Sequence, residues 1–181
     1  EEYSGESIIS KLSRIRKYMD NKNADIHIMA TLDDICWTFN IRGCDVECNP
    51  VIMAYSVITK DEAYIYTDKD RFDDKTLAKF GEACVEVLPY DSIYEDIARM
   101  NGKVLIDKRR VNMRIYQLIQ SGRDVEAVLS DNPAMLFKAI KNETEIRNLY
   151  SVHVDDGVAV TKFIFWLKKN CLLYTSPSPR D

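Results

Sequence analysis

This 181-residue sequence has two histidines, His27 and His153, which is few for a self-contained metal site. Asp156 follows His153 by three residues, a spacing that lets two side chains meet on one face of a helix. Because a metal site needs more than two protein ligands, we interpret His153 as a buried histidine paired with Asp156. His27 has apolar neighbours, and we expect it to be a hydrogen-bonded histidine on a strand.

The cysteines do not form a metal-binding pattern. Cys44 and Cys48 have a spacing that a metal could use, but Cys36 and Cys84 supply no second close pair. We interpret these cysteines as reduced thiols of a cytosolic protein, because they lack the dense framework of a small secreted domain. The sequence therefore predicts that this chain binds no metal or other cofactor.

Adjacent carboxylates occur at three places, Asp33-Asp34, Asp73-Asp74 and Asp155-Asp156. Adjacent residues point apart on a helix. The first two pairs fall where predicted helices start, and negative charge is favoured there. The sequence has no P-loop and no GxGxxG, GxSxG or HExxH motif. We therefore predict no catalytic residue in this chain.

An aromatic and basic segment is a candidate for recognition of a partner. Trp37 and Phe39 lie near Arg42, and the loop that continues to Asn49 is long enough to reach another surface. The alternative is that the aromatic residues belong to the core and that the loop is only a connection. We take Trp37, Arg42 and Asn49 as the candidate interface residues.

The elements that must position these residues alternate between helix and strand. Apolar residues recur with helical spacing up to Asn21, and a strand, a short helix capped by Thr31 and a β-hairpin follow. Three helix–strand units complete the pattern. The expected strands are 25–30, 52–58, 63–67, 84–88, 103–106 and 125–129. The sequence thus predicts an α/β fold with a mixed six-stranded sheet and flanking helices.

The segment after the last predicted strand is helical only. Asn132 before Pro133 predicts the start of a short helix. Asn142, with Glu145 three residues later, resembles a capping box. Asn142 also begins an Asn-X-Thr glycosylation sequon, but we interpret it as a helix cap. The helix that follows reaches Lys169, about 28 residues, which is long for a globular domain.

The C-terminal residues 171–181, CLLYTSPSPRD, break this helical pattern. Two Ser-Pro pairs cannot continue a helix. We interpret the segment as a translated sequencing adapter and exclude it from the fold, so we expect the chain to be a fragment. The predicted divisions are 1–131 for the α/β domain, 132–170 for a linker helix and the first helix of a further domain, and 171–181 for the artefactual tail.

Charge and hydropathy exclude two classes of partner. The chain carries 25 Lys and Arg against 29 Asp and Glu, a net charge of -4. It therefore has no basic excess that would attract nucleic acid. Its apolar stretches have the length of strands, far short of the ~20 residues that a membrane span needs. We expect neither nucleic acid nor a membrane as a partner.

Two motifs resemble the Xaa-Pro aminopeptidase (aminopeptidase P) family. Residues 32–43 read LDDICWTFNIRG, and Asp45-Val46 and Asn49-Pro50-Val51 continue the family's run of LD(D/E)IAW, N(L/I)RG, DV and NPV. Residues 138–146, KAIKNETEI, are similar to the start of the family's catalytic domain. The resemblance covers residues 3–169 and corresponds to the middle domain of the three-domain form with the first helix of the catalytic domain.

The resemblance implies the creatinase/prolidase N-terminal domain fold, followed by a long helix that opens a truncated pita-bread domain. It implies that the parent protein removes the N-terminal residue that precedes proline in a peptide. Two divalent metal ions, usually Mn2+, activate water in that reaction. The family's metal ligands are two Asp, one His and two Glu, all downstream of the long helix. We therefore expect this chain alone to be inactive.

In keeping with the reduced thiols, we expect a cytoplasmic protein. The resemblance implies its partners: the missing catalytic domain, peptides with proline at the second position and a second copy in a homodimer. Trp37, Arg42 and Asn49 would face the catalytic domain. The alternative is a creatinase-like binding module without hydrolysis, as in a eukaryotic histone-chaperone subunit. The five downstream ligands discriminate between the two. A prolidase or creatinase is a third option, which the LDDICW and NIRG motifs disfavour.

Overall fold

The computed structural model describes residues 2–170 of the chain. The helices in that range are α1 (Ile8–Asn21), α2 (Leu32–Thr38), α3 (Asp74–Glu82), α4 (Ile93–Arg99), α5 (Met113–Ser121), α6 (Pro133–Ala139) and α7 (Glu143–Asn170). The strands are β1 (Ile26–Met29), β2 (Tyr55–Thr59), β3 (Ala63–Tyr66), β4 (Val85–Leu88), β5 (Gly102–Ile106) and β6 (Val125–Leu129). The predicted tail at 171–181 lies outside the described residues.

These strands form one six-stranded sheet in the order β4-β3-β2-β1-β5-β6. β2 runs antiparallel to β1 and β3, whereas the pairs β1–β5, β3–β4 and β5–β6 are parallel. The register places His27 of β1 opposite Ile58 of β2 and Leu105 of β5. The predicted mixed six-stranded sheet with flanking helices is confirmed.

Two apolar clusters fill the two faces of the sheet. Alternation along β1 directs Met29 into one cluster and Ile28 into the other. The first cluster includes side chains of α1, α2, α3 and α6, and the second includes side chains of α4 and α5. Helices therefore cover both faces of the sheet.

The first helix illustrates how the sequence builds this layer. The Ser7 hydroxyl accepts a hydrogen bond from the Ser10 backbone N–H at 3.2 Å and caps α1. The apolar stripe of α1 is buried. Lys11 is buried beside that stripe, and its Nζ donates to the Trp37 carbonyl and to Asn40 Oδ1, both at 2.7 Å. The Lys11 ammonium thereby satisfies a carbonyl at the C-terminus of α2, where positive charge is favoured.

The described chain divides into two compact units. The first is Glu6–Ile140, and the second joins Glu2–Gly5 to the residues from Lys141 onward. The first unit includes α6, which packs against α1 and α2. The sequence prediction places this helix beyond the domain limit at residue 131. The limit of independent folding stays a prediction, and the contacts of α6 lead us to expect it at Ile140.

The second unit contains the long helix α7 and its cap. Asn142 Oδ1 accepts from the Glu145 N–H at 2.9 Å, and Glu145 Oε2 accepts from the Asn142 N–H at 3.0 Å. This reciprocal pair is the predicted capping box. Asn142 Nδ2 also donates to the Ser4 carbonyl at 2.7 Å. Both ends of the Asn142 amide therefore have structural partners, which supports the helix-cap interpretation of the sequon.

The prediction of a buried His153 is wrong. The His153 side chain is exposed on α7, and its Nδ1 lies 2.8 Å from the Leu149 carbonyl one turn earlier. The prediction assumed that other side chains cover the apolar stripe of α7. The side chains of this helix are instead exposed over residues 149–169. Between residues 2 and 170, no helix combines the length and the apolar character that crossing a membrane requires.

Candidate functional site

A network of buried and partly buried polar side chains joins β1, the start of α2 and both ends of α6. We call it the β1–α6 network, and its members are His27, Thr31, Asp34, Asn132 and Lys138. His27, Asp34 and Asn132 are each at most 3% exposed. Buried polar groups need partners, because each unsatisfied group costs about 1–3 kcal/mol. The hydrogen-bond partners of these three side chains therefore matter for the stability of the first unit.

Asp34 is the negative centre of the network. Its Oδ2 accepts from the Thr31 hydroxyl at 2.6 Å and from Asn132 Nδ2 at 2.8 Å. Its Oδ1 accepts from Lys138 Nζ at 2.7 Å. The predicted cap of α2 differs here, because the Thr31 hydroxyl bonds this carboxylate and makes no cap bond to a backbone N–H. The acid at this helix start thus serves a tertiary contact as well as the helix dipole.

Lys138 joins α6 to both acids at the start of α2. It pairs with Asp34 and also with the exposed Asp33. Burial lowers the pKa of Lys138, but its hydrogen bonds to the two carboxylates outweigh burial and raise that pKa overall. The two carboxylates therefore favour the charged form of the ammonium.

Asn132 connects three elements through one amide. Its Oδ1 accepts from the Ala134 N–H at 3.1 Å and caps α6, as the sequence predicts. Its Nδ2 donates to Asp34 of α2, and a longer contact of 3.3 Å joins it to Thr31 Oγ1. The same Oδ1 lies 3.1 Å from His27 Nε2 on β1. The start of α6 is therefore tied to the sheet and to α2.

The hydrogen-bonded strand histidine predicted at His27 is confirmed. The ring is fully buried, with Nδ1 3.1 Å from the Leu105 carbonyl and Nε2 3.1 Å from Asn132 Oδ1. Burial lowers the pKa of His27, and the opposing effects of these hydrogen bonds and of Asp34 and Asp107 are smaller. Because the ring has no contact with solvent, it has no access to a substrate and acts within the fold.

The lowered pKa of His27 predicts a pH dependence of folding. The unfolded chain binds a proton near the ordinary value of 6.5, whereas the folded chain binds it only at lower pH. Stability is therefore full above pH 6.5 and falls below it, at no more than about 1.4 kcal/mol per pH unit, until the folded pKa is reached. Denaturant unfolding between pH 7.5 and 5 measures this slope.

The control for that slope is the second histidine. His27→Gln is expected to remove the slope above pH 5, and His153→Gln, at an exposed position, is expected to keep it. Carboxylates with lowered pKa, such as Asp107, lose their contribution only as the pH falls below about 4, so the two windows are separate. An unchanged slope in His27→Gln would contradict the assignment.

The candidate interface residues lie in two different environments. Trp37 is half-buried against α1, with Lys11 Nζ 4.3 Å and the Arg14 guanidinium carbon 6.0 Å from its ring centroid. The Trp37 indole nitrogen is buried and has no hydrogen-bond partner among residues 2–170. Phe39 is fully buried in the core, as the alternative interpretation expects of an aromatic residue.

Arg42 and Asn49 are exposed on the loop between α2 and β2. Asp45 holds this loop, because its carboxylate accepts from the Met53 N–H at 2.7 Å and from Arg71 Nη1 at 2.6 Å. The Asn49 N–H donates to the Val46 carbonyl at 3.1 Å and closes a turn. A fixed loop therefore presents Arg42 and Asn49, and their role at an interface stays a prediction.

Gly43 in this loop predicts a steric effect with a matched control. A Cβ at Gly43 would lie 2.2 Å from Cγ2 of the buried Ile52 and 3.1 Å from the Val51 carbonyl. Gly43→Ala is therefore expected to lose about 1–3 kcal/mol of stability through overpacking. Gly81→Ala, in α3 with nothing within 4 Å of the added Cβ, is expected to gain about 0.5–1 kcal/mol. Thermal unfolding measures both, and equal signs would contradict the packing of Ile52 on Gly43.

The described residues do not fit a metal centre. Over residues 2–170, no three His, Cys, Asp or Glu side chains are placed to hold one ion. Cys36 is buried, whereas Cys44, Cys48 and Cys84 are exposed, and all four are free thiols.

Sequence reasoning missed the β1–α6 network as a unit. It identified His27 as hydrogen-bonded, Asn132 as a cap and Asp34 as a helix-start acid, but it did not connect them. Nothing local indicated the pairing of Lys138, because its partner Asp34 is 104 residues away in the sequence. The only local hint was Thr31, whose hydroxyl lies three residues before Asp34.

The sequence of the chain is similar to sequences of known proteins. The sequence model of the Creatinase/Prolidase N-terminal domain family matches residues 1–145. The chain is 31% identical over 172 residues to Xaa-Pro aminopeptidase 1 of Dictyostelium discoideum. It is 32% identical over 177 residues to the probable Xaa-Pro aminopeptidase P of Chaetomium globosum. These matches cover 93% and 92% of this chain but only 27% and 28% of the relatives.

Solved structures of related proteins match the fold of this chain. The X-prolyl aminopeptidase from Caenorhabditis elegans, described as a cytosolic enzyme with a di-nuclear active site, matches with a TM-score of 0.85 and 26% identity. The match covers 94% of this chain and 29% of that chain. The Xaa-Pro dipeptidase from Bacillus anthracis shares the fold, with a TM-score of 0.58, 16% identity and coverage of 78% of this chain and 38% of that one.

Proposed function

Because the chain belongs to the creatinase/prolidase N-terminal domain family, we propose that it is the non-catalytic α/β domain of a metal-dependent Xaa-Pro aminopeptidase. The helix α7 is then the first helix of the catalytic domain. The parent protein removes the N-terminal residue that precedes proline in a peptide. The observation that carries this proposal is the TM-score of 0.85 with the C. elegans enzyme over 94% of this chain.

The partial coverage of the relatives supports a division of labour within the parent protein. The chain spans little more than a quarter of the length of the curated relatives that it matches. The residues of this chain offer no metal-binding cluster between positions 2 and 170. We propose that two divalent metal ions, Mn2+ in particular, are held by residues outside this range, in keeping with the di-nuclear site described for the C. elegans protein.

The role proposed for this domain is to support and limit access to the catalytic domain. The proposed contacts with that domain are Arg42 and Asn49, on the loop that Asp45 holds, and Trp37, at the end of α2. The partners are then the catalytic domain itself, peptides with proline at the second position and a second copy in a homodimer. A cytoplasmic location follows from the same proposal and agrees with the cytosolic C. elegans enzyme.

The proposal predicts where the activity resides. We expect the 181-residue chain to show no hydrolysis of an Xaa-Pro peptide, with or without added Mn2+. A chain extended from the source gene beyond Asn170 is expected to hydrolyse it, with the loss of the first residue detected by mass spectrometry. The extended sequence must supply two Asp, one His and two Glu as ligands.

Two outcomes of sequencing the source DNA would contradict this proposal. A reading frame that continues without those ligands would make the parent a binding module. Source DNA that encodes residues 171–181 and then a stop codon would make the chain a stand-alone domain and would refute the adapter interpretation.

A further inference from the structure

Both ring nitrogens of the buried His27 face hydrogen-bond acceptors. Nδ1 lies 3.1 Å from the Leu105 carbonyl, which can only accept. Nε2 lies 3.1 Å from Asn132 Oδ1, which also accepts. A neutral imidazole has one N–H, so it can donate to only one of them. One of the two contacts therefore lacks a hydrogen whenever the ring is neutral.

The neighbours of Asn132 fix which way its amide points. Nδ2 lies 2.8 Å from the Asp34 carboxylate, and Oδ1 lies 3.1 Å from the Ala134 N–H that it caps. Turning the amide over would place an oxygen against the carboxylate and an NH2 group against an N–H. Both hydrogen bonds would be lost, and one of them is to a charged group, which makes it among the stronger kind. Asn132 therefore keeps its oxygen towards His27.

The charged groups around His27 come from three elements. Asp34 faces it from α2 and carries the Lys138 ammonium of α6 on its other oxygen. Asp107 faces it from the end of β5 and pairs with Arg109 at 3.3 Å. One oxygen of Asp107 is buried without a hydrogen-bond partner among residues 2–170. Two carboxylates, each with its negative charge partly balanced by a cation, thus lie near a ring that has no access to solvent.

We propose that His27 is a proton-linked latch between β1 and β5. The fixed Asn132 amide holds the neutral ring in the tautomer with its hydrogen on Nε2, and Nδ1 then faces the Leu105 carbonyl with a lone pair. Protonation of Nδ1 adds a hydrogen bond from His27 to the Leu105 carbonyl and leaves the cap of α6 unchanged. Asn132 contacts the ring, and Asp34 and Lys138 act on the ring through Asn132, so these three are positioning residues.

The two neutral tautomers differ in the acceptor that they satisfy. With the hydrogen on Nδ1, the ring would keep its bond to Leu105, but Nε2 would present a lone pair to Asn132 Oδ1. Each tautomer therefore gives up one of the two contacts. The Asn132 amide donates through Nδ2 to the Asp34 carboxylate, and hydrogen bonds in such a chain polarise one another, which makes Oδ1 the stronger acceptor. This polarisation selects the tautomer with its hydrogen on Nε2.

Nitrogen-15 NMR of the imidazole ring tests the proposal in the full chain. The chain has two histidines, so His153→Gln leaves His27 as the one imidazole to observe. At pH 7.5 we expect a protonated-type shift for Nε2 and an unprotonated-type shift for Nδ1. On acidification, Nδ1 is expected to gain its hydrogen, and the carbonyl carbon of Leu105 is expected to shift with the same midpoint.

The relay is tested by Asp34→Asn in the same background. Its neutral side chain removes the charge that fixes the Asn132 amide, so we expect the hydrogen to move to Nδ1 in a measurable fraction of molecules at pH 7.5. Two results in the protein with Asp34 unchanged would overturn the proposal. One is a His27 ring that carries its hydrogen on Nδ1 at pH 7.5. The other is a His27 ring that does not change protonation between pH 7.5 and 4.5. The measurement with wild-type Asp34 decides the proposal even if Asp34→Asn does not fold. Its outcome does not depend on whether the parent protein is a peptidase.

Discussion

A chain that ends at Asp131 is expected to be less stable than one that ends at Ile140 by about 4 kcal/mol or more. The longer chain keeps α6, whose Lys138 pairs with the buried Asp34, and it keeps the Asn132 amide that bonds the same carboxylate. Their removal takes two of the three hydrogen-bond donors from the Asp34 carboxylate, leaves it with Thr31 alone, and removes the buried Ala134 from the first apolar cluster. Denaturant unfolding of the two purified chains measures the difference.

A third chain, ending at Asn170, separates stability from solubility. It adds α7, whose Phe163, Phe165 and Trp166 are 58%, 67% and 58% exposed. Exposed apolar patches promote association, so this chain is expected to scatter more light than the chain ending at Ile140 at equal concentration. Equal stability of the two shorter chains would contradict the structural role of α6. Equal light scattering by the chains that end at Ile140 and at Asn170 would contradict the expectation that α7 needs a partner.

Lys138→Met is expected to destabilise the protein by about 3 kcal/mol, because it leaves the Asp34 carboxylate buried without its cation. The Asp34 side chain is 5% exposed and that of Lys138 is 27% exposed, so solvent screens this pair only in part. Methionine keeps most of the lysine stem, so the substitution removes charge and hydrogen bonds more than packing. Chemical unfolding at pH 7.5 gives the free energy of unfolding for each variant.

The matched control is Lys60→Met. Lys60 Nζ lies 2.7 Å from Asp25 Oδ1, the same distance as in the Lys138–Asp34 pair, but its side chain is 58% exposed. Exposed ion pairs contribute little, so little or no change in stability is expected. Similar effects of the two substitutions would mean that burial does not distinguish the pairs and would contradict the description of the β1–α6 network.

Local sequence patterns predicted the architecture well. Alternation of apolar residues located the six strands, and the three helix–strand units follow the hairpin in the predicted order. The largest boundary difference lies in β2, predicted from Ile52 but starting at Tyr55. Ile52 and Ala54 before it are buried, yet they belong to the end of the loop that Asp45 and Gly43 hold. Burial alone therefore does not make a strand.

The candidate sites were less accessible to sequence reasoning, for two physical reasons. The β1–α6 network joins residues about 100 positions apart, such as Asn132 and Asp34, and no local pattern encodes such a pairing. The prediction for His153 was wrong because a local pattern was given too much weight. Its position in an apolar stripe implied that another element covers it, and no element within residues 2–170 does so. Helical periodicity identifies the face that can be buried, whereas burial itself depends on what packs there.

The arrangement of the strands has a consequence for synthesis on the ribosome. β2 and β3 are neighbours in sequence and close a short hairpin, so they can pair as soon as both have emerged. β1 emerges first, but one of its edges waits for β5, because His27 and Leu105 are 78 residues apart. Until then that edge presents unpaired backbone groups to other nascent chains. The centre of the sheet, which is its most buried part once complete, is therefore its most vulnerable part while the chain is being made.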